Sequence, residues 1–302
     1  MYTVTDLGTG FEGSGLKLSD TGVVAGQDTT GAILIQNGKR TTIGSSRFTG
    51  ATAINAANQV GGWRTNFTPT GFTQYVFTWS NGVLKEWPHD GAPVGILASD
   101  QVVLNVLGTS GTASNHVIVL TNGVPHAFAD GYQAQAVNSA GQMAGERYTL
   151  TGFDAAYFYN GSTNIDLPMP SGVKSFAIGI NDSGDITGII QSSASVSSAF
   201  IYKQGTVTTL PAVPGSVSMY GRAINNSDQV VGAAAMPTST VNSTANAAFV
   251  YQNGVTALLD SRIPASDGWT LTDATSINAR GQIVAQGMHN GVEGACLLTP
   301  VQ

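Results

Sequence analysis

INNSDQVVG, from Ile224 to Gly232, is a turn set between apolar residues, and its nine-residue pattern occurs seven times along the 302 residues. The other copies are Leu18–Gly26 (LSDTGVVAG), Ile54–Gly62 (INAANQVGG), Ile96–Leu104 (ILASDQVVL), Val137–Gly145 (VNSAGQMAG), Ile180–Gly188 (INDSGDITG) and Ile277–Ala285 (INARGQIVA). Their fifth positions hold Gly22, Asn58, Asp100, Gly141, Gly184, Asp228 and Gly281, the residue types that tolerate a left-handed backbone. The second position is Asn in five copies, with Ser19 and Leu97 in the other two. An Asn side chain there accepts from the N–H two residues on and closes the turn. Each copy therefore reads as a tight β-hairpin.

A second hairpin follows each of the first six copies, turning at Asn37-Gly38, Asn81-Gly82, Asn122-Gly123, Asn160-Gly161, Gln204-Gly205 and Asn253-Gly254. Asn-Gly favours a two-residue type I′ turn, which needs positive φ at both central residues. Two hairpins make four strands, and a period of about forty residues is that of a propeller blade. The seventh unit lacks a fourth strand, and Tyr2–Gly8 matches the missing one in pattern. The expected fold is all-β: a seven-bladed β-propeller of four-stranded antiparallel blades, its ring closed by the N-terminal strand joining the C-terminal blade. It forms a single domain over residues 1–302, with blades near 14–44, 51–87, 93–128, 133–167, 176–210, 220–259 and 274–300, the last completed by 2–8. Such closure removes exposed sheet edges. An open β-solenoid, the alternative, needs capping elements at both ends, and none is evident.

Composition agrees with many short strands and tight turns: 10% of residues are charged, 42% are hydrophobic and 38 are glycine. The net charge of −6, with 12 basic residues spread thinly, argues against nucleic acid or an anionic membrane surface as partner. No run of 18 apolar residues is present, so no membrane insertion is expected. Cys296 is the single cysteine, which excludes an intrachain disulfide and reads as a buried small hydrophobe. Strand-like residues follow Met1 directly, so no secretory signal is expected within these residues, and one could have been removed beforehand.

In a propeller, the connections between hairpins and between blades share one face, and here they look long and irregular: 63–74, 88–93, 146–153, 168–175, 211–220, 235–246 and 261–273. Variable loops are where recognition concentrates. That face would carry Trp63, Arg64, Phe67, Phe72, Trp87, Arg147, Tyr148, Phe153, Tyr220, Arg222 and Trp269. The candidate ligand-binding set is Trp63, Arg64, Phe72, Arg147, Tyr148, Tyr220 and Trp269, with Trp63 and Trp269 as principal contacts, because aromatic rings beside polar groups are how proteins hold sugars. The same aromatics could instead plug gaps between blades.

Catalysis is poorly supported. His89, His116, His126 and His289 are dispersed, and no HxxxH, CxxC or GxSxG pattern is present, so no catalytic residue, metal ligand or cofactor is assigned. The loop carboxylates Asp90, Asp130, Glu146, Asp154 and Asp267 could pair across blades for acid–base work on a glycan. Asn181–Asp185 and Asn225–Asp228 gather oxygen ligands suited to calcium, although the needs of the turn already explain them.

The two-hairpin unit resembles the bacterial extracellular HAF repeats, which combine an AINxxGQVVG-like hairpin with an HAFxWxxG-like one. The resemblance covers essentially the whole chain through the seven nine-residue copies. It is weaker in the second motif, nearest at His116-Val117-Ile118, Ala199-Phe200-Ile201 and Ala248-Phe249-Val250; His126-Ala127-Phe128 has the letters but falls on a fourth strand. The resemblance implies export or surface display and no established activity. The function expected is a secreted or cell-surface binding module for a glycan or a surface protein. The alternatives are a structural passenger scaffold and a glycan hydrolase or lyase.

Overall fold

In the computed structural model every residue is described except 45–47, 98–100, 107–115, 149–153, 194–195, 241–242 and 302, together with the side chains of residues 13, 14, 92, 129 and 130. The strands, in chain order, begin with β1 (Tyr2–Gly8). The first sheet is β2 (Phe11–Leu18), β3 (Val24–Asp28), β4 (Gly31–Gln36) and β5 (Lys39–Ile43); the second is β6 (Thr49–Ile54), β7 (Val60–Thr68), β8 (Gly71–Ser80) and β9 (Val83–Pro88). The third is β10 (Ala92–Leu97), β11 (Gln101–Val106), β12 (His116–Thr121) and β13 (Val124–Asp130); the fourth is β14 (Tyr132–Val137), β15 (Met143–Arg147), β16 (Ala155–Tyr159) and β17 (Asn164–Asp166). The fifth is β18 (Lys174–Ile180), β19 (Ile186–Ser193), β20 (Val196–Lys203) and β21 (Thr206–Thr209); the sixth is β22 (Ser218–Ile224), β23 (Val230–Pro237), β24 (Thr244–Gln252) and β25 (Val255–Leu258). The seventh is β26 (Trp269–Ile277), β27 (Ile283–His289) and β28 (Val292–Pro300), completed by β1 in the order β1-β28-β27-β26. Gly10–Met143 forms one compact unit, and Met1–Thr9 with Ala144–Gln302 a second.

The nine-residue motif forms the turn between the first two strands of a sheet. Asn225 N–H donates to the Gln229 carbonyl (3.1 Å), and Asn225 Oδ1 accepts from the N–H groups of Ser227 (3.0 Å) and Gln229 (3.1 Å). Its Nδ2 donates to Gln229 Oε1 (2.7 Å) and to the Asn278 carbonyl of the next sheet (3.0 Å). Asn55, Asn138 and Asn278 repeat the bond to Gln59, Gln142 and Gln282, at 2.8, 2.7 and 2.9 Å. The sixth-position Gln is thus the partner of the second-position Asn. Ser19 serves in the first copy by accepting from Val23 N–H at 3.1 Å. The fifth positions carry the expected positive φ: Gly22 88°, Asn58 59°, Gly141 77°, Gly184 81°, Asp228 56° and Gly281 72°. Asp100 lies outside the described residues.

The motif's closing glycine has its own cause. Gly62, Gly188 and Gly232 pair with Phe77, Phe200 and Phe249 on the third strand. A Cβ on Gly188 or Gly232 would collide with the carbonyl of Phe176 or Tyr220, and on Gly62 with that of Gly50. The three phenylalanines are fully buried, each contributing about 1.5–3 kcal/mol by burial.

Five of the expected second turns join strands across two residues, as in Gln36↔Lys39 and Gln252↔Val255. The Asn160-Gly161 turn departs from this expectation. Tyr159 pairs with Asn164, leaving a four-residue turn in which Asn160 N–H donates to the Thr163 carbonyl at 3.2 Å. The N-terminal strand pairs with the last as expected, from Tyr2↔Pro300 to Asp6↔Cys296. Apolar residues form layers between neighbouring sheets within each unit, for example Val231, Val250, Leu259, Leu271, Ile283 and Cys296 between the sixth and seventh.

Candidate functional site

Antiparallel pairing puts the β7–β8 turn at the end of its sheet opposite the turns at Asn55–Gln59 and Asn81-Gly82. Much of what reads in sequence as loop at such ends is strand. Residues 63–74 are not a loop: β7 runs to Thr68 and β8 starts at Gly71, so the hairpin extends past the core of its sheet. Likewise β22 takes in Tyr220 and Arg222, β23 and β24 shorten the 235–246 connection, and β26 begins at Trp269 after two short 3-10 turns. In 63–74 the cause is local composition: Thr and aromatic residues pair across the two strands, as Phe67 does with Phe72.

Four of the expected contact residues are engaged within the fold. Trp63, half-buried in β7, lies over Gly50, where a Cβ would approach its indole to 2.9 Å. Arg64 makes a two-pronged ion pair with Glu86 (2.5 and 2.9 Å) and stacks 4.4 Å from the centre of the Tyr75 ring. The Glu86 hydrogen bond pushes the guanidinium above its ordinary pKa. Arg147 forms the same two-pronged pair with Asp166, at 3.0 and 2.6 Å. Trp269 is stacked on His289 with centroids 4.6 Å apart and planes 7° apart, and His289 Nδ1 is 3.0 Å from Asp6 Oδ2. Trp269 also packs against the core beneath it. Trp63 and Trp269 are therefore strand residues, not loop anchors. Tyr220 is half-buried in β22, and Tyr148, 41% exposed, follows β15. Phe153 lies outside the described residues. Trp63, Arg64 and Phe72 share one hairpin; Arg147 and Tyr148 belong to the fourth sheet, Tyr220 to the sixth and Trp269 to the seventh.

Phe72 belongs to a different kind of arrangement. It pairs across the strands with Phe67, and the two are 63% and 59% exposed. Phe48, 38% exposed, meets Phe67 edge-on at 4.7 Å between centroids, and Phe67 and Phe72 lie 6.3 Å apart. A hydrogen bond from Thr65 N–H to the Phe48 carbonyl (2.9 Å) fixes Phe48 beside the hairpin. Residues 65–74, TNFTPTGFTQ, carry no charged side chain. The result is an uncharged aromatic surface rimmed by hydroxyl and amide groups. Phe48 escapes sequence reading because it precedes its strand; the symmetric Phe-Thr-Pro-Thr-Gly-Phe around the turn is the signal for the other two.

The oxygen-rich turns are occupied from within the chain. Lys203 Nζ lies between Asp228 Oδ2 (2.6 Å) and Asp185 Oδ2 (3.4 Å), which puts an ammonium where a calcium ion would bridge. Asp154 is 3.6 Å from Lys174 Nζ. Among the described residues no group of three or more His, Cys, Asp or Glu side chains converges as a metal site. Burial pushes the Asp273 carboxyl up, opposed by Arg222 at 3.1 Å.

No family model and no curated protein sequence matches the chain. Solved structures do resemble it in fold. The β-propeller domain of the trilobed protease from Pyrococcus furiosus is 12% identical with a TM-score of 0.60, over 82% of this chain and 83% of that one. The fold is a seven-bladed β-propeller. Acylaminoacyl peptidase from Pyrococcus horikoshii aligns at 10% identity and a TM-score of 0.58 over 91% of this chain. A prolyl endopeptidase aligns at 9% and 0.60 over 96%. This chain spans about half the length of both peptidases, 50% in each case. At these identities the likeness is one of fold alone. The Pyrococcus furiosus domain is described as having an open velcro topology, whereas here β1 completes the last sheet.

Proposed function

We propose that this propeller is a non-catalytic binding module displayed outside the cell, and that it takes a neutral glycan on the projecting β7–β8 hairpin. The observation that carries the reading is the exposure of Phe67 and Phe72 side by side, with Phe48 against Phe67. Large apolar rings held in water mark a contact surface. Sugar rings offer an apolar face to such aromatics, while their hydroxyls need neutral polar partners, which Thr65, Asn66, Thr70, Thr73 and Gln74 supply. The uncharged segment and the net charge of −6 favour a neutral ligand over a polyanion. Resemblance of the repeat to HAF repeats supports surface display.

Phe67→Ala and Phe72→Ala, tested on a glycan array, should each weaken binding by about 1 kcal/mol or more while the melting temperature stays within a few degrees. Trp63→Ala should instead lower the melting temperature, since its ring covers Gly50. Full binding by both phenylalanine variants would move the ligand to another surface. An array with no bound glycan would favour a surface scaffold, a reading supported by the internal engagement of Arg64, Arg147 and Trp269.

A further inference from the structure

We propose that Asn160 is a self-modifying residue: its carboxamide is arranged for attack by the Gly161 nitrogen, so that the β16–β17 turn converts itself to aspartate or isoaspartate. The chain has six Asn-Gly pairs, at Asn37, Asn81, Asn122, Asn160, Asn253 and Asn290. In each, glycine carries no side chain to shield its nitrogen. Their surroundings separate them.

Asn37, Asn81, Asn122, Asn253 and Asn290 have φ of 51°, 50°, 49°, 53° and 50°, and the glycines that follow have φ of 74°, 83°, 83°, 81° and 84°. These are type I′ turns, held on both sides by paired strands. Closing a five-membered imide requires the glycine nitrogen to swing toward the Asn Cγ, which rotates the Asn ψ away from the I′ value and unpicks the hairpin end. The fold therefore opposes the reaction at these five positions.

At Asn160 the turn is four residues long. Asn160 Oδ1 accepts from Ser162 N–H (3.0 Å), Thr163 N–H (2.9 Å), Ser162 Oγ (3.0 Å) and Thr163 Oγ1 (3.4 Å). The bond from Ser162 N–H closes a ring that contains Asn160 Cγ and the intervening Gly161 peptide, which keeps the carboxamide tied to its own backbone. Holding reactants in a near-attack arrangement is worth a large part of a barrier. The donors also polarise the carboxamide and face the oxygen on which negative charge develops, as preorganised dipoles do at an oxyanion. Asn160, Gly161 and Ser162 are exposed, so water reaches the turn.

The step balances without a cofactor. Gly161 N loses its proton to solvent base and bonds to Asn160 Cγ; the Cγ–N bond of the carboxamide breaks, and ammonia leaves with a proton from water. Water then opens the cyclic imide at either carbonyl, giving aspartate or isoaspartate and adding one negative charge to the turn.

Peptide mapping by mass spectrometry of the intact chain, incubated at mildly alkaline pH, should show the Asn160 peptide gaining the acid mass several-fold faster than those of the other five sites. Ser162→Ala with Thr163→Val should slow Asn160 several-fold and leave the others unchanged. In denaturant the six rates should converge, with Asn160 slowing or holding and the rest speeding up. An Asn160 rate no higher than the others in the folded chain would overturn the proposal. So would acceleration of Asn160 by unfolding, because the turn would then be shielding it.

Discussion

Asn225 uses its whole hydrogen-bonding capacity at one turn: two N–H groups donate to its Oδ1, and both Nδ2 hydrogens are taken, one by Gln229 and one by the Asn278 carbonyl. Because Gln229 and Asn278 are buried, Asn225→Ala should leave their groups unpaired and cost about 1–3 kcal/mol in urea unfolding. Asn225→Asp should cost a similar amount by turning two donors into acceptors beside the Asn278 carbonyl. Gly184→Val, at φ 81°, should also cost about 1–3 kcal/mol, since a β-branched residue resists that backbone region. Equal stability of all three with the parent chain would refute this account of the repeat. Turn glycines and the Asn were legible in sequence, since each acts on its own neighbours. The sixth-position Gln was not, because its role depends on a second side chain, and neither was the closing Gly, which answers to a carbonyl on another strand.

The strands show how register hides a site. Arg64 and Glu86 are 22 residues apart, and Arg147 and Asp166 are 19 apart. Each pair sits on strands that flank a third, so they meet only once hairpin register is known. Trp63 and Trp269 look like loop rings in sequence because their segments are long and carry Pro and Gly; paired as strands, they are half-buried and partnered. Phe72 was legible as a candidate, while the packing of Phe48 against its neighbour Phe67 was not. The closing strand yields an element-level prediction. Burial pushes the Cys296 thiol up to about 12, and Cys296 faces Asp6 of β1 on one side and Ala285 of β27 on the other. Deleting Met1 to Gly8 should lower stability by several kcal/mol and make Cys296 react readily with a thiol reagent that labels the intact chain only through unfolding. A melting temperature only slightly changed, with Cys296 still protected, would show that β1 is dispensable.

For the molecule as a whole, seven sheets and the pairing of the first strand with the last followed from repeat counting, and the solved propellers agree with that fold at identities near 10%. A ligand leaves no such trace, because the repeat encodes turns and packing while the proposed contact surface is built from a few unrepeated residues. Stability should also carry a pH signature. Burial raises the Asp273 carboxyl above its ordinary value, so the folded state holds that proton more tightly than the unfolded chain. Its contribution is complete below about pH 4 and is lost as pH rises through the raised folded value. Asp273→Asn removes the titration, and the melting-temperature difference between variant and parent should move in the variant's favour as pH increases across that window. A difference independent of pH would rule out this role. Finally, Thr3 and Thr299 are bonded across a separation of 296 residues. On a ribosome, β1 emerges first and has no partner until β28 follows it almost an entire chain later, while the hairpins between them pair as they are made. Through that interval Tyr2 and Val4 lie on a strand with a free edge, the kind that invites pairing with other chains, so the vulnerable moment in this protein's life falls during its own synthesis.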